Sequence, residues 1–468
     1  MAKYDVVVIG SGPGGYVAAL RAAQLGKKTC VVERDAVGGV CLNRGCIPTK
    51  TLAHAAEVCS QARHGADFGI QIGSLTVDFA KTQAAKDAVV AKLTRGVSGL
   101  LKRAGVDVIA GTARLAGRKK VAVKLNPSTS LGAGAGGEET LEADKIILAT
   151  GSEPARPKFI PFDGEWIITS DEALKLTKLP ASVFILGGGY IGCEFASIFA
   201  QLGGAQVTMV EMLDPLLPNL DPDIAAEITK ALKKLKVKVF TGMKMESVAA
   251  TGSGVVAKLA NGTTVEAEIA LVCIGRRLLS DDLGLEEAGV KTEKGAIVID
   301  EHCQTTAAGI YAIGEVTGQL MLAHVASAQG IVAAEHAAGK NARMDYRCIP
   351  AAVFTNPEVG TVGMTEAEAT AAGYKARTAK FPFQALGRAT AMGETAGFAK
   401  IVADERTGQV LGVHLVGPHA SDVIAEGATA IALEATVAEL AHSVHAHPTL
   451  PEAIMEAARA WLGQGIHA

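Results

Sequence analysis

Two cysteines separated by four residues, in Cys41-Leu42-Asn43-Arg44-Gly45-Cys46, are the side chains best suited to chemistry. On an ideal helix, Cα atoms five positions apart lie roughly 8–9 Å from each other. A disulfide needs about 4.4–6.8 Å. A bonded pair at this spacing therefore requires a distorted turn, and Gly45 supplies the backbone freedom for one. Pro48 then suits the first turn of a following helix over 49–63. A strained disulfide of this kind in an intracellular protein is a reactive device rather than a structural staple. No second Cys or His pair lies close enough to make a zinc site, and no metal is expected. The other six cysteines, Cys30, Cys59, Cys193, Cys273, Cys303 and Cys348, are scattered and read as small buried hydrophobes.

Thiol–disulfide exchange proceeds through a thiolate, so a base that titrates near neutrality is useful. The run Ser443-Val444-His445-Ala446-His447-Pro448-Thr449-Leu450-Pro451-Glu452 offers two imidazoles and a carboxylate. Either His445 or His447 can be that base, with Glu452 placed to bond one ring nitrogen and fix the tautomer.

Such groups must be held by a scaffold that can carry electrons. Residues 4–9 form a β-branched strand, followed by Gly10-Ser11-Gly12-Pro13-Gly14-Gly15, a helix over 16–25, and a second strand over 29–32 that ends at Glu33. This is a dinucleotide fingerprint. Gly10 makes the tight turn, Gly12 admits a pyrophosphate, Gly15 lets helix pack on strand, and Glu33 accepts from ribose hydroxyls. The unit recurs as a strand over 183–186, Gly187-Gly188-Gly189-Tyr190-Ile191-Gly192, a helix over 193–202 and a strand over 207–210 ending at Glu211. A carboxylate at 211, with no arginine in 212–217, favours NAD over NADP, because a 2′-phosphate would be repelled there. Two such units facing a thiol pair suggest that one of them binds a flavin. Two further strands, over 146–150 ending at Gly151 and over 310–313 ending at Gly314-Glu315, fit the same sheet pattern.

Composition agrees. The chain has 468 residues, enough for about three or four domains at roughly 150 each. A net charge of −3 gives no basic footprint for nucleic acid, and no apolar run approaches the ~20 residues of a membrane span. The first four residues lead straight into a strand, so no signal peptide is expected and the cytoplasm is the expected location.

Over essentially its full length the sequence resembles the pyridine nucleotide–disulfide oxidoreductases, and among them those that oxidise dihydrolipoyl groups. The resemblance rests chiefly on Gly39-Val40-Cys41-Leu42-Asn43-Arg44-Gly45-Cys46-Ile47-Pro48-Thr49-Lys50, on 187–194 and on His445-Ala446-His447-Pro448-Thr449. It implies an α/β fold with two Rossmann-like domains and a C-terminal α+β dimerisation domain. The implied divisions are FAD at 1–150, NAD at 151–272, a central return to the FAD unit at 273–345 and an interface domain at 346–468. It implies tightly bound FAD, NAD as acceptor, a homodimer, and lipoyl domains or lipoyl carrier proteins as substrate.

By the same resemblance Cys41 attacks substrate, Cys46 lies against the flavin as the charge-transfer thiolate, and His447 is the base. That base is supplied by the partner subunit and held by Glu452. Lys50 and Glu194 correspond to an ion pair beside the flavin, and Tyr190 to the cover of the nicotinamide pocket. Ala113, Gly151, Glu315 and Ala323 correspond to flavin contacts, and Gly275 to a further cofactor position. The chain departs from the family in three places: Glu315 replaces the usual aspartate, Val325 replaces a frequent lysine, and Arg44 replaces a frequent valine between the cysteines. The charge of Arg44 is expected to lower a neighbouring thiol pKa. Glutathione-type reductases would want arginines after the second unit, and mercuric reductases end in paired cysteines, unlike Gly463–Ala468. A non-enzymatic flavin redox sensor is the rival of a different class.

Overall fold

The computed structural model describes residues 1–126 and 137–467, which fall into two compact units. The first comprises Met1–Thr51, Gln83–Ala155 and Gly275–Asp345. Its sheet is built around Ala2–Ile9, which lies parallel to Thr29–Glu33 on one side and to Glu138–Leu148 on the other. Asp107–Leu115 extends the sheet beyond Thr29–Glu33, and Ile310–Ala312 extends it beyond Glu138–Leu148, both in parallel. Lys120–Leu125 runs antiparallel between Asp107–Leu115 and Glu138–Leu148.

Residues 6–9, 29–32 and 310–312 are buried on both faces because helices and loops cover both, as a parallel sheet requires. Successive side chains go to opposite layers. Val7, Ile9, Cys30 and Val32 join one core, while Val6, Val8 and Val31 join another with Ala18, Ala19 and Ala22. The second layer is alanine-rich because the helices Pro13–Gln24 and Ala323–Ala337 approach closely. A Cβ on Gly330 would lie only 2.5 Å from the Gly14 carbonyl oxygen.

The second unit comprises Leu52–Thr82, Arg156–Ile274 and Tyr346–Ala468. It holds a five-stranded parallel sheet in the spatial order Lys238–Phe240, Gln206–Val210, Ser182–Leu186, Ile269–Val272, Ile167–Ile168. An antiparallel meander over 245–267 adjoins it in sequence. The C-terminal portion is a five-stranded antiparallel sheet in the order Ala351–Val353, Glu358–Gly363, Val410–Gly417, Phe398–Asp404, Ala376–Pro382. The helices Ala420–Ala432, Val437–His442 and Glu452–Trp461 bury their apolar faces on it through Ile424, Leu440, Ile454 and Trp461.

One charged cluster ties two elements of this unit together. Lys400, with a side chain only 5% exposed, donates to Asp221 and Asp223, each at 2.7 Å. Asp221 also caps the helix Pro222–Lys234 by accepting from the Asp223 N–H at 3.0 Å. No helix among the described residues is long and apolar enough to cross a membrane.

Candidate active site

The cysteine pair lies where one helix stops and another starts. Gly39–Arg44 is helical, Gly45 adopts φ −141° and ψ −112°, and a second helix runs Cys46–Arg63. The distortion expected from the spacing is therefore a complete break, centred on Gly45. A Cβ there would lie 3.0 Å from the Val40 carbonyl oxygen, so the break also exploits the missing side chain. Asn43 fastens the first helix by donating to the carbonyls of Val37 and Gly39 at 3.1 and 2.9 Å. Thr49 closes the second by donating to the Gly45 carbonyl at 2.7 Å.

Cys41 and Cys46 are hydrogen-bonded side chain to side chain. That bond, followed by burial and the charge of a Cys46 thiolate, pushes Cys41 strongly up, against the positive charge of Lys50. The pair thus shares one proton more readily than it loses two. The Arg44 guanidinium pairs with Asp35. Lys50 is the cation bearing on Cys41.

The two glycine-rich loops are built alike. In the first, a Cβ on Gly15 would lie 1.9 Å from the Gly10 carbonyl oxygen, so only glycine allows the helix to start there. In the second, a Cβ on Gly192 would lie 2.0 Å from the Gly187 carbonyl oxygen. The middle glycines differ in kind: Cβ atoms on Gly12 or Gly189 would meet nothing within 4 Å. Each projects into open space before the first turn of a helix, and these are cradles that a pyrophosphate fits.

The strand-end acids complete the correspondence. Glu33 accepts from the Ser11 N–H (2.8 Å), the Ser11 hydroxyl (2.6 Å) and the Asp35 N–H (2.9 Å). Glu211 accepts from the N–H groups of Gly188 (2.6 Å) and Leu213 (2.7 Å). Both carboxylates are thereby fixed at the loop's edge, where ribose hydroxyls can add to them.

Other expected contacts fall in identifiable places. Gly151 and Gly275 follow the strands Glu138–Leu148 and Ile269–Val272, with φ +71° and +119°. Ala113 is buried in Asp107–Leu115. Two residues on, the Leu115 N–H donates to Leu283 rather than to the antiparallel neighbour. With a period of two, the Ala113 N–H and C=O share that outer edge. Ala323 opens the helix Ala323–Ala337, and Tyr190 opens Tyr190–Leu202. Glu194, only 4% exposed, accepts from the Phe354 N–H at 3.0 Å.

Glu315 follows Gly314, whose N–H donates to the Gln329 side chain at 2.7 Å. Its carboxylate accepts from the Ser152 hydroxyl and pairs with Arg276 at 3.2 Å. Arg276 in turn donates to the Ser152 hydroxyl at 2.6 Å and to the Ser152 carbonyl at 2.9 Å. Ser152, Arg276 and Gln329 were not singled out from sequence; their adjacency to Gly151 and Gly275 was the only local signal for the first two. Val325, where relatives often carry lysine, is completely buried, a place where an ammonium would need a partner.

At the C-terminal end the two histidines differ sharply. The His447 side chain is 76% exposed, and its Nδ1 donates to Glu452 at 3.0 Å, leaving Nε2 outward. Burial raises Glu452, but the Thr449 N–H and His447 outweigh it and hold the carboxyl below its usual range. His445, by contrast, is 11% exposed and has both nitrogens engaged, Nδ1 with the Ser443 carbonyl and Nε2 with Glu426. Only His447 combines an oriented ring with an accessible nitrogen.

Comparison with known proteins agrees with this geometry. Residues 4–330 match the family model of the pyridine nucleotide-disulphide oxidoreductases, and residues 349–458 match that family's dimerisation domain. Among curated relatives, the dihydrolipoyl dehydrogenase of Bacillus subtilis is 44% identical, covering 99% of both chains. That of Halobacterium salinarum is 43% identical over 99% of this chain and 97% of its own. LpdA from Mycobacterium tuberculosis superposes with a TM-score of 0.89 at 32% identity, over 98% of this chain and 99% of that one. RclA, an HOCl-induced flavoprotein disulfide reductase from Escherichia coli, gives 0.86 at 28% identity, over 97% and 99%. This chain belongs to the pyridine nucleotide-disulphide oxidoreductases and ends in that family's dimerisation domain.

Proposed function

We propose that this protein is a dihydrolipoyl dehydrogenase, oxidising protein-bound dihydrolipoyl groups to lipoyl and reducing NAD to NADH, with FAD and the Cys41–Cys46 pair as its redox centre. The observation that carries the reading is the hydrogen-bonded cysteine pair across the Gly45 break, on the chain segment following the first dinucleotide loop. A substrate thiolate bonds to the Cys41 sulfur as the Cys41–Cys46 disulfide breaks, and Cys46 leaves as thiolate. The second substrate sulfur then attacks the mixed disulfide and closes the lipoyl ring, leaving Cys41 reduced. His447 of the partner subunit takes the proton from the attacking thiol on Nε2, with Glu452 holding Nδ1–H and stabilising the imidazolium.

Bound FAD would supply the two-electron chemistry that links the dithiol to NAD. Gly10, Gly12, Gly15, Glu33, Ala113, Gly151, Glu315 and Ala323 would hold FAD, while Gly187, Gly189, Gly192, Glu211 and Gly275 would hold NAD. Lys50 and Glu194 would each act toward the flavin, and Tyr190 would cover the nicotinamide pocket. The proposed functional division gives 1–150 and 273–345 to FAD, 151–272 to NAD and 346–468 to pairing of two chains in a homodimer. The reading places the enzyme in the cytoplasm, serving a lipoyl domain or carrier on another protein.

Steady-state rates with dihydrolipoamide and glutathione, each with NAD and NADP, test the assignment. Dihydrolipoamide with NAD is the expected preference; glutathione with NADPH would overturn it. Cys41→Ser should abolish dithiol oxidation while FAD stays bound. Near-normal turnover in that variant would remove the cysteine pair from the mechanism.

A further inference from the structure

The run that carries His447 has little regular structure of its own. After the helix Val437–His442 the chain crosses Ser443–Leu450 before entering Glu452–Trp461, and Val444 on this crossing is 97% exposed. Four side chains restrain it, the first being Ser443, whose hydroxyl donates to the Glu439 carbonyl at 2.8 Å. His447 and the Thr449 N–H both reach Glu452, and the Thr449 hydroxyl donates to the Ala446 carbonyl at 2.7 Å, so these contacts stay at the C-terminal end. The remaining restraint is of another kind. His445 reaches across to Glu426 on the helix Ala420–Ala432 at 3.0 Å, and its Nδ1 lies 2.9 Å from its own loop's Ser443 carbonyl.

The chemistry of that second histidine is constrained. A carbonyl oxygen only accepts, so Nδ1 carries a hydrogen. Nε2 faces a carboxylate, so one further proton lies between the two, on either the imidazole or the glutamate. Glu426 is mostly shielded, and burial holds it above the usual carboxylate range against the pull of His445. Glu452 also bears on this ring, responding to both His445 and His447.

We propose that His445 and Glu426 form a positioning dyad that anchors the Ser443–Leu450 crossing to the helix Ala420–Ala432 and so aims Nε2 of His447 at the reacting thiol. The inference rests on His447 being the base. His445 touches no reacting atom; it acts through the backbone two residues away. The dyad sets the start of the crossing and Glu452 sets its end, so the base is held from both sides. A base misplaced by about 1 Å loses on the order of 100-fold in rate.

The test compares His445→Ala, Glu426→Ala, Glu426→Gln and His447→Gln in the FAD-loaded full-length enzyme. The measurements are kcat and KM for dihydrolipoamide, and NADH-driven reduction of ferricyanide, which needs no thiol base. His445→Ala and Glu426→Ala should each lower dihydrolipoamide kcat roughly 10- to 100-fold, with KM and ferricyanide reduction little changed. Glu426→Gln should stay near wild type, because the amide NH2 can donate to a neutral Nε2 while Nδ1–H keeps the Ser443 carbonyl. That rescue separates placement from charge: a glutamine variant as poor as the alanine variant overturns positioning.

The inference also fails if His445→Ala keeps full dithiol turnover while His447→Gln loses it; the base assignment then stands alone. A parallel fall in both activities and in melting temperature makes the dyad a fold contact and overturns the inference. Full activity in His447→Gln removes the base assignment itself and the dyad's purpose with it.

Discussion

The middle glycines of the two loops make the sharpest prediction, because steric space around them is opposite to that around their neighbours. At Gly189 the backbone is at φ −77° and ψ −171°, which alanine adopts freely, and its Cβ would have no neighbour within 4 Å. Gly189→Ala therefore changes the fold little. Lower chain entropy in the unfolded state stabilises by about 0.4–1 kcal/mol. The weaker N-cap costs an amount of similar size. The net change should lie within about 1 kcal/mol, a few degrees in melting temperature for a unit this large.

Under the proposed function the new methyl occupies the cradle for the NAD pyrophosphate. Forcing a methyl into a filled site costs about 1–3 kcal/mol, equivalent to roughly 5- to 150-fold in affinity. Melting curves, the KM for NAD and direct NADH titration measure the two effects separately. Gly192→Ala is the control: its Cβ would lie 2.0 Å from the Gly187 carbonyl oxygen, so it should lower melting outright. The reasoning is refuted if Gly189→Ala destabilises as much as Gly192→Ala, or if NAD binds it as well as it binds wild type.

Three further outcomes follow from the contacts. Lys400→Met leaves Asp221, 1% exposed, as a buried carboxylate without its ammonium, and should cost about 3–5 kcal/mol in urea unfolding; unchanged stability would show that the cluster contributes nothing net. Glu315→Asp shortens the reach to Ser152 and Arg276 and should speed FAD loss in gel filtration and fluorescence assays, and an FAD affinity equal to wild type would dismiss the role of that triad. Asp223 is held below the usual carboxylate range, burial opposing and the Lys380 and Lys400 ammonium groups prevailing. Its contribution is therefore complete above the ordinary aspartate pKa of about 4 and is lost as pH falls through the lower folded value. Asp223→Asn should flatten the acid limb of stability against pH, and an unaltered limb would assign it to other carboxylates.

What could be read from the sequence was what is local. Strand, glycine loop, helix and terminal acid follow one another within about 30 residues, so both dinucleotide units could be placed to within a few residues. Gly45 announced a distortion but not its form, because a glycine reports freedom rather than the angles chosen. The contacts around Glu315 join residues 124 and 163 positions apart, and no periodicity links Ser152 to either partner. The helix Cys46–Arg63 begins in one compact unit and buries Leu52, Ala56 and Cys59 in the core of the other, with no change of composition to mark the passage. His445 and His447 were equivalent in sequence; what separates them is Glu426, placed by a helix whose position only the fold determines.

The two acids at the strand ends brace their glycine loops in the same way. Glu33 and Glu211 each accept from the second residue of their glycine loop and from the backbone N–H two positions beyond themselves. An ionised carboxylate has about four lone-pair directions, so each keeps capacity for ribose hydroxyls while its orientation is already fixed. A loop braced in this way does not have to be ordered by the dinucleotide, and less conformational entropy is lost on binding. Under the proposed function one unit holds FAD tightly and the other releases NADH in every turnover, so the shared brace locates the difference in affinity elsewhere. The first unit has additional elements proposed to hold FAD, among them the strand edge at Ala113 and the Gly314–Glu315 turn. Removing Ser152 or Arg276 should therefore loosen FAD while leaving the NAD KM unchanged, whereas Glu211→Ala should do the reverse.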